Sequence, residues 1–194
     1  LAATGDELAV LGTIEALPES NRLMLAAQLG GLPVELIDLG ILPDRLDALR
    51  DAFASAGEQA DLIVTTGGAS VGDHDLVRPA LEAAGGAIDF WRIALRPGKP
   101  MLAGRVGGAQ FLGLPGNPVS AFVTCELFVK PLVRALAGAT DPLPRTAAAR
   151  MAEPLTANGP RADYLRGWRD GDGRVRVAGV QDSSMLLTLA CADC

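Results

Sequence analysis

The alternation of strand and helix over the first 138 residues predicts an α/β fold: a three-layer α/β/α domain on a mostly parallel sheet, followed by a small β domain. Three observations predict it. Short apolar runs alternate with stretches whose apolar residues recur at helical spacing, and the connections between them are short. Glycine turns follow the apolar runs, at the strand ends where such sheets bind ligands. Beyond a linker at 139–145 that carries Pro142 and Pro144, the pattern changes to short β segments over 146–194. That last unit is too small to hold a core alone, so it reads as the incomplete start of a β domain.

The elements follow in order. Leu1 to Gly5, with no initiating methionine, reads as the end of a strand already under way, from which something upstream has been removed. Ser20 is a good N-cap for a helix over 21–29, closed by Gly30-Gly31. The run 34–39 has strand length and composition and stops at Gly40. Asp44 is expected to cap a second helix, in which Leu46, Leu49, Phe53 and Ala56 fall on one face. Residues 62–65 form the next strand, and 76–82 the next helix. Further strands are expected over 88–94, 101–105 and 111–114, then a long helix from Pro118 to Leu136 whose Phe122, Leu127, Phe128 and Leu132 serve packing. In the C-terminal unit, strands over 146–155, 164–169 and 174–180 are expected. The last two are joined by Asp170-Gly171-Asp172-Gly173, a hairpin signal, and a short helix follows over 181–189.

Composition excludes several functions. The chain has 194 residues, 49% of them hydrophobic, enough for one substantial core, but only 4% aromatic and with a net charge of −6. Such a chain offers neither stacking platforms nor a general attraction for a polyanion, so no nucleic-acid partner is expected. No apolar run is long enough to span a bilayer, because Glu126, Lys130 and Arg134 interrupt the most hydrophobic helix, and no signal peptide is seen. Cys125, Cys191 and Cys194 are too few for a secreted disulfide framework, which points to a reducing cytoplasm. Cys191 and Cys194 make a C-x-x-C pair, but with only Cys125 and His74 as further ligands they read as ordinary thiols.

The candidate chemistry lies in three stretches. Thr65-Thr66-Gly67-Gly68-Ala69-Ser70-Val71-Gly72-Asp73-His74-Asp75 is a strand end, a glycine turn and a helix entry, a common place for a phosphate. Asp73 and Asp75 there suit either a helix cap or a cation held against that phosphate. Arg92, Arg96 and Lys99 gather positive charge within eight residues of an acidic chain, and solvated surface charge is the plain alternative. Pro115-Gly116-Asn117-Pro118 opens the long helix with a suitable N-cap and a first-turn proline, and its free N–H groups could face an anion. Taken singly, each stretch also fits a purely structural role.

Taken together, the chain resembles the molybdopterin molybdenumtransferase family, of the MoeA and gephyrin E-domain type. The resemblance is carried by Thr4-Gly5-Asp6-Glu7-Leu8, Ser20-Asn21-Arg22, the run from Thr66 to Asp75, Arg96-Pro97-Gly98-Lys99-Pro100 and Gly113-Leu114-Pro115-Gly116-Asn117-Pro118-Val119-Ser120. Molybdopterin adenylyltransferases share the Thr-Gly-Gly turn but not the Pro-Gly-Asn-Pro-Val-Ser run. A non-catalytic pterin-binding or scaffold module is the remaining alternative. The resemblance implies a pterin-binding domain over 1–138 and the start of a C-terminal β domain. It implies a cytoplasmic enzyme, a homodimer at full length, that converts adenylylated molybdopterin and molybdate, with Mg²⁺, to the molybdenum cofactor and AMP. Members carry further N-terminal domains, so this chain alone need not turn over. By the same resemblance Glu7, Asp44 and Asp75 are the catalytic and metal-binding carboxylates. The substrate would be held by Thr66, Gly67, Gly68, Ser70, Gly72, Arg92, Arg96, Lys99, Pro115, Gly116, Asn117, Pro118 and Ser120, with Arg166 and Ser183 lent by the C-terminal unit. The loop from Ala9 to Pro18 is shorter than is usual in the family, and Glu19 stands where Asp or Asn is typical.

Overall fold

A computed structural model describes residues 1–6, 8–9, 17–68, 76–179 and 181. Its centre is a six-stranded sheet of β1 (Ala2–Thr4), β2 (Ile41–Leu42), β3 (Leu62–Thr66), β4 (Ala87–Trp91), β5 (Leu102–Val106) and β6 (Ala109–Leu114). The strands lie in the order β2-β1-β3-β6-β5-β4. The pairs β1/β2, β1/β3 and β3/β6 are parallel, whereas β5 runs against both β6 and β4. One reversed strand thus sits in an otherwise parallel sheet, as a mostly parallel expectation allows.

Side chains alternate across the sheet and feed two cores. Ile63, Leu102 and Phe111 pack beneath α2 (Leu46–Gln59) and α3 (Val77–Ala83), where Leu49, Phe53 and Leu81 are wholly buried. There the Phe53 and Phe111 rings meet edge to face, their centroids 5.0 Å apart. Their sequence neighbours Val64, Ala103 and Leu112 point the other way, against α1 (Asn21–Leu29) and the C-terminal helix, whose Cys125, Val129 and Val133 are buried. Two cores on opposite faces of one sheet make the three layers.

That C-terminal helix is not uniform. It runs as α4 (Pro118–Thr124), a π-helical turn (Cys125–Val129) and α5 (Lys130–Leu136). Pro131 has no N–H for the Leu127 carbonyl, and its ring crowds that carbonyl; a widened turn just before it relieves both. Cys125 lies inside this turn with no exposed surface, and burial, then the neighbouring Glu126 carboxylate, pushes its thiol up to about 12. Below that pH it stays an un-ionised, inert thiol. In peptide mapping after alkylation of the native protein at pH 8, Cys125 is expected to remain unlabelled and to react fully once the chain is denatured.

Two strand expectations are corrected. Residues 34–39 form no strand; the edge strand is β2, starting two residues beyond them. An extended segment becomes a strand only beside a partner, and β1 offers a ladder only to residues 41 and 42, through Ala3↔Ile41 and Thr4↔Leu42. Short of these there are single contacts alone, such as the Leu39 N–H to the Leu1 carbonyl at 2.9 Å. Likewise residues 146–155 contribute only a bridge from Met151 to Val175. The hairpin, by contrast, is present as β7 (Gly167–Arg169) paired antiparallel with β8 (Val175–Val177). Asp170 and Arg174 close its turn, and the helix expected over 181–189 falls outside the described residues beyond Gln181.

Candidate functional site

The chain passes from β1 through α1 on one face and from β3 through α3 on the other, so the two adjacent strands part at their carboxyl ends. In open α/β sheets that is where ligands sit. A groove of about 820 Å³ also lies at the opposite, amino ends of the strands, lined by apolar residues such as Leu1, Val34, Ile37 and Val133. Its size does not make it the site, because no convergent set of charged groups lines it.

At the crevice, Thr66 ends β3, and Gly67 and Gly68 follow with φ of 89° and 60°, a left-handed stretch that glycine alone adopts without strain. They also lie tight against β1. A Cβ on Gly67 would stand 2.4 Å from the Thr4 carbonyl oxygen, and one on Gly68 2.5 Å from Val77 Cγ2. The Thr66 hydroxyl is not turned to a ligand: it accepts from Asn21 Nδ2 at 2.9 Å and donates to the Pro115 carbonyl at 3.2 Å. Asn21 Nδ2 also donates to the Gly116 carbonyl at 2.8 Å. One buried amide therefore ties the glycine turn after β3 to the Pro115-Gly116-Asn117 turn after β6. Sequence reasoning assigned Asn21 no role. The signal was present, since Asn21 falls in phase with the buried Leu25 and Leu29, where a polar residue needs a partner.

The entry to α1 differs from its expected form. Ser20 holds the N-cap position without a side-chain cap bond; instead Glu19 Oε1 accepts the Arg22 N–H at 2.9 Å and Glu19 Oε2 takes Arg22 Nε at 3.0 Å. Arg22 NH1 reaches on to Asp38 Oδ1 at 2.6 Å. The Gly40 N–H, against some desolvation, and then the Arg22 guanidinium hold Asp38 below the ordinary carboxylate range. A depressed carboxylate stabilises the fold above its unfolded pKa and loses that contribution as pH falls through the folded value, so this clamp loosens only in acid.

Around the crevice, buried side-chain oxygens among the described residues lack any hydrogen-bond partner: Thr4 Oγ1, Asn21 Oδ1, Thr65 Oγ1 and Asn117 Oδ1. Unpaired buried acceptors are costly unless something donates to them. Asn117 occupies the N-cap position of α4 with Pro118 at the first turn, as expected, yet its side chain makes no cap bond.

The charged groups are sorted along the same rim. Asp44 follows β2, and its N–H donates to Asp6 Oδ1 at 2.9 Å beyond β1, so the two acidic residues share one end. Arg45, not Asp44, takes the N-cap position of α2; with its N–H held by Asp6, Asp44 stands one residue too early. Arg92, Arg96 and Lys99 are exposed on the loop between β4 and β5, at the other end. Five strand spacings separate β2 from β4, about 24 Å. Arg92 ends its strand early, before the expected residue 94, because its φ is +70°. The C-terminal unit reaches this loop by pairing Ala162–Asp163 with Leu95–Arg96, and the Asp163 carboxylate takes the Arg96 guanidinium. Arg166, three residues on, is buried, with its backbone joined to the Gln181 side chain. Ser120 lies in the first turn of α4 and is buried. Glu7, Ser70, Gly72, Asp75 and Ser183 lie outside the described residues.

Comparison with known proteins accords with this architecture. Residues 1–135 match the family described as a probable molybdopterin binding domain, and residues 148–194 match the MoeA C-terminal region, domain IV. The fold is thus that of the molybdopterin-binding type of α/β domain. The chain is 38% identical, over 99% of its length and 49% of the relative's, to a molybdopterin molybdenumtransferase of Haemophilus influenzae. It is 36% identical to molybdopterin molybdenumtransferase 2 of Mycobacterium tuberculosis, over 98% of this chain and 49% of that one. Among solved structures, the molybdopterin biosynthesis moea protein from Pyrococcus horikosii aligns with a TM-score of 0.78 and 26% identity, covering 99% of this chain and 47% of that one. The chain belongs to the molybdopterin molybdenumtransferase (MoeA) family, and it spans about half the length of these relatives.

Proposed function

We propose that this chain is the substrate-binding half of a molybdopterin molybdenumtransferase, which inserts molybdenum from molybdate into adenylylated molybdopterin and releases AMP. The observation that carries the reading is the charge-sorted rim: carboxylates at the β1 and β2 ends, cations after β4, and a glycine turn with unpaired buried oxygens between them. A rim about 24 Å long suits an extended ligand whose pterin lies over the crevice.

The residues divide the work by their chemistry. The Gly67 N–H is held by the Leu114 carbonyl at 3.2 Å, so the backbone N–H groups of Gly68, Gly116 and Asn117 are the ones that suit a phosphate, and the buried Thr4 and Asn117 oxygens suit N–H donors on a heterocycle. Arg92, Arg96 and Lys99 hold the oxyanion by charge-assisted hydrogen bonds. Asp44, with Glu7 and Asp75, would hold Mg²⁺. The donor set fits that ion, since all three are hard carboxylate oxygens and Asp6 adds a fourth carboxylate next to Asp44. When bound, the ion supplies positive charge against the pyrophosphate oxygens as their bond to the adenylate breaks. The reading carries with it the family's homodimer at full length and a cytoplasmic setting.

Calorimetric titration of the full-length protein with adenylylated molybdopterin tests it. Mg²⁺ is expected to tighten binding about tenfold, a difference of about 1.4 kcal/mol. Asp44→Asn is expected to abolish that gain and AMP release while leaving metal-free binding in place. Equal affinity with and without Mg²⁺, together with full turnover by Asp44→Asn, would sink the reading.

A further inference from the structure

Trp91 closes β4 on the face that carries α3, and its ring packs at the margin of the core formed by Leu81, Leu102 and Phe111. The register of the sheet runs in one row from Ala2 through Thr65, Gly113 and Leu102 to Trp91. Arg92 therefore stands one step further, level with Thr66, at the rim itself. Its backbone N–H donates to the Met101 carbonyl at 2.8 Å, and its φ of +70° is the one left-handed conformation at a non-glycine residue in the described chain. An arginine in that region is strained, and such strain persists only where the surroundings enforce it. Here the Arg92 N–H bond to Met101 and the Ile93 N–H bond to the Lys99 carbonyl at 3.1 Å pin the backbone on both sides. The Arg92 guanidinium lies 3.9 Å from the centroid of the Trp91 ring, and Arg78 of α3 approaches the same ring at 5.5 Å.

We propose that Trp91 is a positioning residue for the oxyanion site: its ring holds the Arg92 guanidinium flat at the rim, so that the planar edge with its N–H donors faces the crevice. Tryptophan is the best ring for a cation, and a stacked guanidinium keeps its in-plane donors free for an anion. A lysine at 92 could not be oriented in this way, because its charge is a point and not a plane. Trp91 meets no substrate; it acts through Arg92. The assignment rests on the reading of Arg92 as an anion-binding residue.

The test titrates the full-length protein with molybdate and, separately, with inorganic phosphate, and melts each variant without ligand. Trp91→Phe, which keeps a ring face, is expected to bind within about twofold of wild type, and Trp91→Leu about three- to tenfold more weakly. Arg92→Ala is expected to weaken binding at least as much, and adding Trp91→Leu to it should cost nothing more. In the ligand-free melts the two substitutions should be non-additive, as expected for a direct contact. Arg92→Gly, which relieves the left-handed backbone, should melt a few degrees higher while losing the anion. Weakening by Arg92→Ala with no change in Trp91→Leu overturns the positioning role. So do additive melting effects, or binding losses that multiply in the double variant, because either means that Trp91 only packs. If wild type binds neither anion, or Arg92→Ala leaves affinity intact, the reading of the basic rim fails and the proposal falls with it.

Discussion

Gly67→Ala is expected to destabilise the protein by about 3–5 kcal/mol, the upper range for a single substitution. Two independent causes act at this position. The backbone φ of +89° is closed to an L-residue without strain, and the new Cβ would stand 2.4 Å from the Thr4 carbonyl oxygen. Neither can relax cheaply. The clash partner is backbone of β1, held on both sides by β2 and β3, and the residue before the turn is fixed by the Thr66 bonds to Asn21 and Pro115. Gly68→Ala shares the left-handed φ but meets side-chain atoms, a methyl of Val77 at 2.5 Å and the Thr4 hydroxyl at 2.8 Å, and no backbone atom. Urea unfolding of the two variants should therefore rank Gly67→Ala well below Gly68→Ala. Equal midpoints would show that the β1–β3 crevice is looser than its geometry.

How far the sequence carried these conclusions depended on where the deciding contact lay. Local chemistry was legible: the glycine turn, the Pro-Gly-Asn-Pro helix entry and the Asp-Gly-Asp-Gly hairpin are each specified within a few residues, and each is present as far as the described residues extend. The two core faces were legible for the same reason, since alternation in strands and fourfold spacing in helices are local periodicities. Long-range pairing was not. Residues 34–39 have the composition of a strand, but whether they become one is decided by how far β1 extends beside them. The polar roles at the site were hidden in a similar way. Asp44 looks like a cap from its neighbours, yet its place is set by Asp6, 38 residues away. Arg92 looks like one of three equivalent cations, and only its left-handed backbone and the ring beneath it set it apart. Arg96 likewise looks free in sequence and is met by Asp163 of the C-terminal unit.

Asn21 is the residue at which the fold and the rim are joined, and its substitution separates shape from hydrogen bonding. Asn21→Ala removes two donor bonds, a buried one to Thr66 Oγ1 and a part-buried one to the Gly116 carbonyl, and is expected to cost about 2–3 kcal/mol. Asn21→Asp should cost more, although it is nearly isosteric. The donor nitrogen becomes a carboxylate oxygen facing the Gly116 carbonyl, which can only accept, in a site where residue 21 is 8% exposed. Thr66 can turn its hydroxyl to the new carboxylate, but only by releasing the Pro115 carbonyl. The buried carboxyl should then titrate above its ordinary range. Stability of Asn21→Asp is expected to fall as pH rises from 4 to 7, because desolvation raises the folded pKa and the unfolded chain ionises first. Asn21→Ala should show no such added slope relative to wild type. Denaturation midpoints across that pH range distinguish the two. Parallel profiles for both variants would mean that the amide faces solvent and does not clamp the turns after β3 and β6 together.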